Sequence, residues 1–273
     1  MCGPSVSNEH YTKSFYQEMR KGAELSAEVI VPIVLRAIPT HSVVDVGCGD
    51  GTWLAAFHKL GVSDILGIDG DYVQGEDLQI DPKYFRSMDL SEPFHLERRF
   101  DLAISLEVAE HLPETSATTF IESITRLAPA ILFSAAIPRQ GGNNHINEQW
   151  QDFWVSLFRK HSYLAIDLIR KRVWQNQSVD WWYAQNTVLF AEAKYVMSNP
   201  TLKSELEQTK LDQLNVVHPR GYLEALRSAT PTDRGVRHSI NQLLRSLKNA
   251  LNRRASFYSS KRADPKYQGD QMR

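Results

Sequence analysis

Apolar residues come in short blocks along this chain, and their spacing predicts strands alternating with helices. Ser14 to Ile38 has helical periodicity. Pro32 is expected to start a second helix there or bend the first, because proline lacks an amide proton. Ser42-Val43-Val44-Asp45-Val46 then runs into Gly47-Cys48-Gly49-Asp50-Gly51, as a buried parallel strand closed by glycines would. Trp53 to Leu60 reads as a helix and Ile65 to Ile68 as a strand ending at Asp69. A third, short strand should end near Met88-Asp89-Leu90, and a fourth runs from Phe100 to Leu106. Ser116 to Leu127 is helical, Ala130 to Ala136 a fifth strand stopped by Pro138, and Glu148 to Lys160 a further helix. Tyr163 to Arg170 and Thr187 to Ala193 are the last two strand candidates.

Such alternation implies right-handed crossovers and a parallel sheet. The expected fold class is α/β, a doubly wound, mostly parallel seven-stranded sheet over residues 38–195. A helical cover (1–37) precedes it; a helical extension (196–252) and a basic tail (253–273), expected to be mobile, follow it.

Composition adds two constraints. With 42% hydrophobic and 23% charged residues the chain is ordinary for a folded domain. No apolar stretch approaches the ~20 residues that span a bilayer. The opening Met1-Cys2-Gly3-Pro4 lacks the basic and apolar segments of a signal peptide. Cys2 and Cys48 make no disulfide framework, so a cytoplasmic location is expected. The net charge of −1 conceals an asymmetry: from Arg220 onward 12 Lys and Arg face four acids, whereas 19 basic and 28 acidic residues precede them. Those basic residues are spread over 54 positions among Ile240, Leu243, Leu244, Leu247 and Leu251. A helix packing on the domain, or pairing two subunits as a homodimer, suits that pattern better than nucleic-acid binding.

The glycine loop carries the chemistry. In open α/β sheets ligands sit beyond the carboxyl ends of the strands, where strand order reverses, and glycines there let the backbone approach closely. A dinucleotide fingerprint would need glycine at 52, where the chain has Thr52; an NAD(P) enzyme is therefore the alternative. Alternate glycines behind an acid resemble instead motif I of the class I S-adenosylmethionine-dependent methyltransferases. That resemblance covers about Ser42 to Ala193 and implies a Rossmann-like methyltransferase fold. It implies that Asp45, Gly47, Cys48 and Gly49 cradle the methionine part of S-adenosylmethionine. Asp69, 22 positions past Gly47, would accept both ribose hydroxyls, and Asp89 and Leu90 would meet adenine, with Leu106 completing the cofactor set.

After the fourth strand, Leu106-Glu107-Val108-Ala109-Glu110-His111 places Glu107 and Glu110 three apart, on one face of a helical turn, with His111 adjacent. After the fifth comes Gly141-Gly142-Asn143-Asn144-His145-Ile146-Asn147-Glu148. The fourth and fifth strands are neighbours in this fold, so the two segments should converge. Two carboxylates and two imidazoles suit a divalent ion such as Mg²⁺ or Mn²⁺. The pattern is similar to the small-RNA 3′-terminal 2′-O-methyltransferases, and its first part to the ubiquinone-pathway O-methyltransferases. The resemblance implies Glu107, Glu110, His111 and His145 as metal ligands. Without an ion, His111 or His145 would serve as general base, with Glu107 in the catalytic set. Glu110 capping a helix start is a third reading.

Trp150, Trp154 and Trp181-Trp182-Tyr183, with Gln185 and Asn186, are candidate sugar-facing aromatics and amides, core packing being the alternative. Tyr11, Phe15 and Tyr16 are candidates for a lid over the cofactor. Phe15-Tyr16, His145-Ile146-Asn147-Glu148 and Val217-His218-Pro219 together resemble uncharacterised bacterial methyltransferases of surface-glycan assembly. The expected function is O-methylation of a sugar, glycan or glycosylated small molecule. RNA 3′-terminal 2′-O-methylation and a non-catalytic S-adenosylmethionine-binding protein are the alternatives.

Overall fold

The structure, a computed structural model, describes residues 13–229, with side chains from Arg20 to Arg227. Cys2, the lid candidate Tyr11, the side chains of the lid candidates Phe15 and Tyr16, and the leucine helix and basic tail beyond 229 lie outside this description. The chain divides into two compact units, Met1–Ala225 and Leu226–Arg273. The first contains the sheet and the cavity described below.

Seven strands form one sheet in the order β3-β2-β1-β4-β5-β7-β6. They are β1 (Ser42–Val46), β2 (Asp64–Asp69), β3 (Phe85–Ser87), β4 (Leu102–Leu106), β5 (Ala130–Ser134), β6 (Tyr163–Ile166) and β7 (Val188–Glu192). All are parallel except β7, which runs antiparallel to both β5 and β6. The doubly wound, mostly parallel expectation is met, and chain order reverses at β1/β4.

Alternation along the strands sends neighbours to opposite faces. Val43, Leu102, Ile104, Leu132 and Leu189 pack beneath α1 (Lys13–Ala37) and α2 (Thr52–Lys59). Val44, Ala103, Ile131, Phe133 and Phe190 face α3 (Ala117–Thr125) and α4 (Gln151–Lys160). Phe158 stacks on Phe190 with ring centroids 3.8 Å apart, and Trp154 lies against Phe133. Trp154 is thus core, as are the buried Trp181 and Tyr183.

Two local expectations change. Pro32 starts no second helix: α1 is continuous through it. Ala27, Ile30, Val31 and Val34, at i, i+3, i+4 and i+7, bury one stripe that outweighs the single missing hydrogen bond. The sixth strand stops at Ile166, because Arg170 turns back to Asp167 (2.8 and 2.9 Å) and opens α5 (Arg170–Val173). Trp181-Trp182-Tyr183 form α6 (Trp181–Asn186). After β7 come α7 (Ala193–Ser198) and α8 (Pro200–Glu207), whose Leu202 is buried in the core, and then α9 (Pro219–Ala229). Among the described residues no helix is long and apolar enough to cross a membrane.

Candidate active site

A cavity of about 760 Å³ opens over the carboxyl ends of β1, β2 and β4. Its walls include Gly47, Gly49, Asp69, Asp89, Leu90 and Glu107. The loop after β1 makes room because Gly47, Gly49 and Gly51 all adopt left-handed backbone, with φ of 83°, 53° and 79°. A Cβ on Gly47 would collide with Val108, so backbone alone fits between the β1 loop and the β4 loop. The amides of Gly47 and Cys48 donate to the Ile68 carbonyl (2.8 and 3.2 Å), which ties the bend to β2.

Asp69, 4% exposed, accepts from the Gly49 amide (2.7 Å), the Gly70 amide (2.7 Å) and the Tyr72 hydroxyl. Asp89 and Leu90 line the far end of the cavity. The Asp89 carboxyl accepts from the Ser91 hydroxyl (2.6 Å) and amide (2.9 Å), which hold it below the usual carboxylate range. Three residues of the expected cofactor set sit behind this surface. Cys48 turns its side chain into the core, where burial pushes the thiol far up. Leu106 packs in the same core. Asp45 is buried, and burial together with the Asp69 and Asp50 charges pushes its carboxyl well up. Arg20 of α1 reaches Asp50 at 2.6 Å and so anchors the glycine loop from outside.

Beside the cavity the segments after β4 and β5 are stitched together. The amides of Ile146 and Asn147 donate to the Glu110 carbonyl (2.9 and 3.0 Å), and Asn147 Nδ2 donates to the Ala109 carbonyl (3.3 Å). The expected convergence is therefore realised by backbone pairing. Glu107 is not on a common helical turn with Glu110: it has left-handed backbone (φ 56°), and only Ala109–His111 form a 3₁₀ turn. Its carboxylate accepts from Asn186 Nδ2 (3.1 and 3.2 Å) and Gln140 Nε2 (3.2 Å), and its amide donates to the Ser134 carbonyl (3.0 Å). Burial raises the Glu107 carboxyl, and these hydrogen bonds oppose the rise.

Glu110 differs. It is fully buried, and no donor reaches either carboxylate oxygen in good hydrogen-bond geometry; burial first, then the Glu107 charge, pushes it well up, opposed by the nearby backbone of Glu110 and Ala136. Instead of capping a helix, it faces His111 and His145. One atom from each of these three side chains lies within 4.8 Å of the others. Glu107, occupied by the amides, stands outside that trio. The two imidazoles meet edge to face, centroids 4.9 Å apart and planes at 85°. Partial burial, and secondarily His145, holds the His111 imidazole below the ordinary histidine range.

Residues absent from the sequence-based set do much of the positioning. Glu148 accepts from the amides of Arg139 (2.6 Å) and Gly141 (3.0 Å) and lies 3.1 Å from His145 Nδ1. A proton on Nδ1 shared with Glu148 leaves Nε2 with a free lone pair. The i, i+3 spacing of His145 and Glu148 is the one hint of this in the sequence. Gln185 and Asn186, read as substrate-facing amides, are buried and serve the Glu107 clasp, with Gln185 Nε2 donating to Gln140 Oε1 (3.0 Å). His218 is buried too, its amide donating to Gln185 Oε1 (2.8 Å).

A family profile described as a methyltransferase domain matches residues 16–209. Among solved structures, magnesium protoporphyrin IX methyltransferase (ChlM) from Synechocystis PCC 6803 with bound SAH is 17% identical. The match covers 70% of this chain and 90% of that one, with a TM-score of 0.50, a likeness of fold. The methyltransferase domain of bacterial CtHen1-CN is 18% identical over 62% of this chain and 99% of that one, TM-score 0.46. The sugar N-methyltransferase KedS8 from Streptoalloteichus sp ATCC 53650 is 20% identical over 53% and 64%, TM-score 0.40. No curated protein sequence matches the chain significantly.

Proposed function

The chain belongs to the methyltransferase domain family, as an S-adenosylmethionine-dependent enzyme, and we propose that it methylates a hydroxyl of a sugar, glycan or glycosylated small molecule with help from a divalent ion. The cavity residues fit the donor. The bend at Gly47, where a Cβ would collide with Val108, leaves main-chain atoms against the ligand, and Asp69 and Asp89 both line the cavity at or just past successive strand ends. S-adenosylmethionine, when bound, supplies an electrophilic methyl carbon; the protein supplies alignment and exclusion of water.

The observation that carries the metal-assisted reading is the Glu110 carboxylate, fully buried beside two imidazoles with no donor in good hydrogen-bond geometry on either oxygen. Burial pushes that carboxyl toward its neutral acid, and a divalent ion held by it and the two imidazoles would draw the proton off and stabilise the carboxylate. Glu110, His111 and His145 would hold Mg²⁺ or Mn²⁺, an ion that lowers the pKa of a hydroxyl beside it. Glu107, fixed by Asn186 and Gln140, faces the cavity and orients the acceptor by accepting a hydrogen bond. Glu148 keeps the His145 ring in one orientation.

The test is transfer of labelled methyl from S-adenosylmethionine into hydroxylated acceptors, a panel of sugars and glycosides beside an RNA with a free 3′ diol, with Mn²⁺ or with chelator. Labelled sugar that disappears on chelation and in Glu110→Gln, with Mn²⁺ affinity lost in the variant by calorimetry, is the expected result. Activity indifferent to chelation would refute the metal; label in RNA alone, lost at raised salt, would move the acceptor to nucleic acid.

A further inference from the structure

The acid that should read the ribose is already engaged. Of roughly four lone-pair positions on a carboxylate, Asp69 offers Oδ2 to the Gly49 amide and Oδ1 to both the Gly70 amide and the Tyr72 hydroxyl. A ribose diol brings two donors, and about one position is left. The two amides belong to the loops that form the cavity floor. Tyr72 does not: it is 73% exposed, yet its hydroxyl reaches a carboxylate that is 4% exposed. Its ring lies across Gly70, where any Cβ would collide with it, and the Tyr72 ring forms part of the cavity wall. The hydroxyl bond to Asp69 holds the end of this side chain.

Building on the reading of this cavity as the S-adenosylmethionine site, we infer that Tyr72 is a competing residue that stands in for a ribose hydroxyl in the free protein and exchanges places with it when the nucleoside enters. A ligand able to replace the lost hydrogen bond enters readily, because its 2′ and 3′ hydroxyls take over the vacated oxygen. A nucleoside lacking them has no donor to offer this carboxylate and leaves the Tyr72–Asp69 bond in place. Only a ligand carrying the ribose diol therefore meets competition from Tyr72, whatever its methionine end. Partial burial and the bond to Asp69 push the Tyr72 hydroxyl above its ordinary range, so it stays protonated and donates at all physiological pH.

Removing only the hydroxyl tests this. Tyr72→Phe keeps the ring and frees Asp69, so S-adenosylhomocysteine and adenosine should bind about 3- to 10-fold more tightly by calorimetry. The released Tyr72 hydroxyl regains water, which keeps the gain near the lower end for a charged hydrogen bond. Binding of 2′,3′-dideoxyadenosine should stay within about twofold of its wild-type value, because it never displaces Tyr72 from Asp69. Unchanged or weaker S-adenosylhomocysteine binding in Tyr72→Phe would overturn the exchange, as would an equal gain for all three ligands. Failure of the wild type itself to bind S-adenosylhomocysteine would instead remove the cavity assignment on which the exchange rests.

Discussion

Substituting Gly47 by alanine separates the two reasons the bend demands glycine. At φ 83° an alanine pays about 1–2 kcal/mol for left-handed backbone. Its Cβ would also meet Val108 Cγ1 at 2.6 Å and Val108 Cβ at 3.1 Å. Valine is stiff about χ1, so the collision moves backbone, an overpacking cost of about 1–3 kcal/mol. Together these reach about 2–5 kcal/mol, within the 5–15 kcal/mol typical of a domain, so the variant folds with a melting temperature lowered by roughly 4–20 °C. Gly49→Ala supplies the comparison: its φ is 53°, but a Cβ there meets nothing within 4 Å, and only the backbone cost applies. Combining Gly47→Ala with Val108→Ala removes the collision and should recover part of the loss, a coupling that a double-mutant cycle reads directly. Thermal melting and calorimetry with S-adenosylhomocysteine are the assays, with affinity falling at least tenfold in Gly47→Ala and less in Gly49→Ala. Equal behaviour of the two single variants would refute the reasoning.

Two further outcomes follow from the acceptor side. Asn186→Leu deletes the one amide that donates to both Glu107 oxygens, at a fully buried position, and leaves Gln140 on Oε2, a loss of about 1.5–3 kcal/mol for a hydrogen bond to a charge. It should lower kcat at least tenfold while leaving the S-adenosylhomocysteine Kd within about twofold; a change confined to Kd would contradict its positioning role. Because burial and His145 depress the His111 pKa, neutral imidazole persists below the ordinary histidine value, whether it binds an ion or accepts a proton. The acid limb of kcat/KM against pH should therefore have its midpoint below about 6.5; a midpoint at or above that would contradict a neutral His111 in the site.

Much of the architecture was legible because strand and loop signals are local. Ser42–Val46 is apolar, short and glycine-terminated, and Asp69 and Asp89 close or follow strands that the same pattern marks out. The Glu107–Asn186 clasp was not legible, since it joins residues 79 positions apart through side chains whose direction no periodicity gives. Gln185 and Asn186 beside tryptophans look the same in sequence whether they line a pocket or, as here, anchor a buried carboxylate. Glu148 carries a weak local signal at three residues from His145, but its two backbone partners exist only because the Arg139–Gly141 stretch folds back. Pro32 misleads for the opposite reason: a long buried stripe outweighs one absent hydrogen bond, and only packing reveals the stripe's weight.

A crystal structure with S-adenosylhomocysteine tests the central claim most directly. The account predicts both ribose hydroxyls within hydrogen-bonding distance of Asp69, adenine beside Asp89 and Leu90, and the sulfur facing Glu107 and His111. A nucleoside bound elsewhere, or one in this cavity whose ribose makes no contact with Asp69, would contradict it.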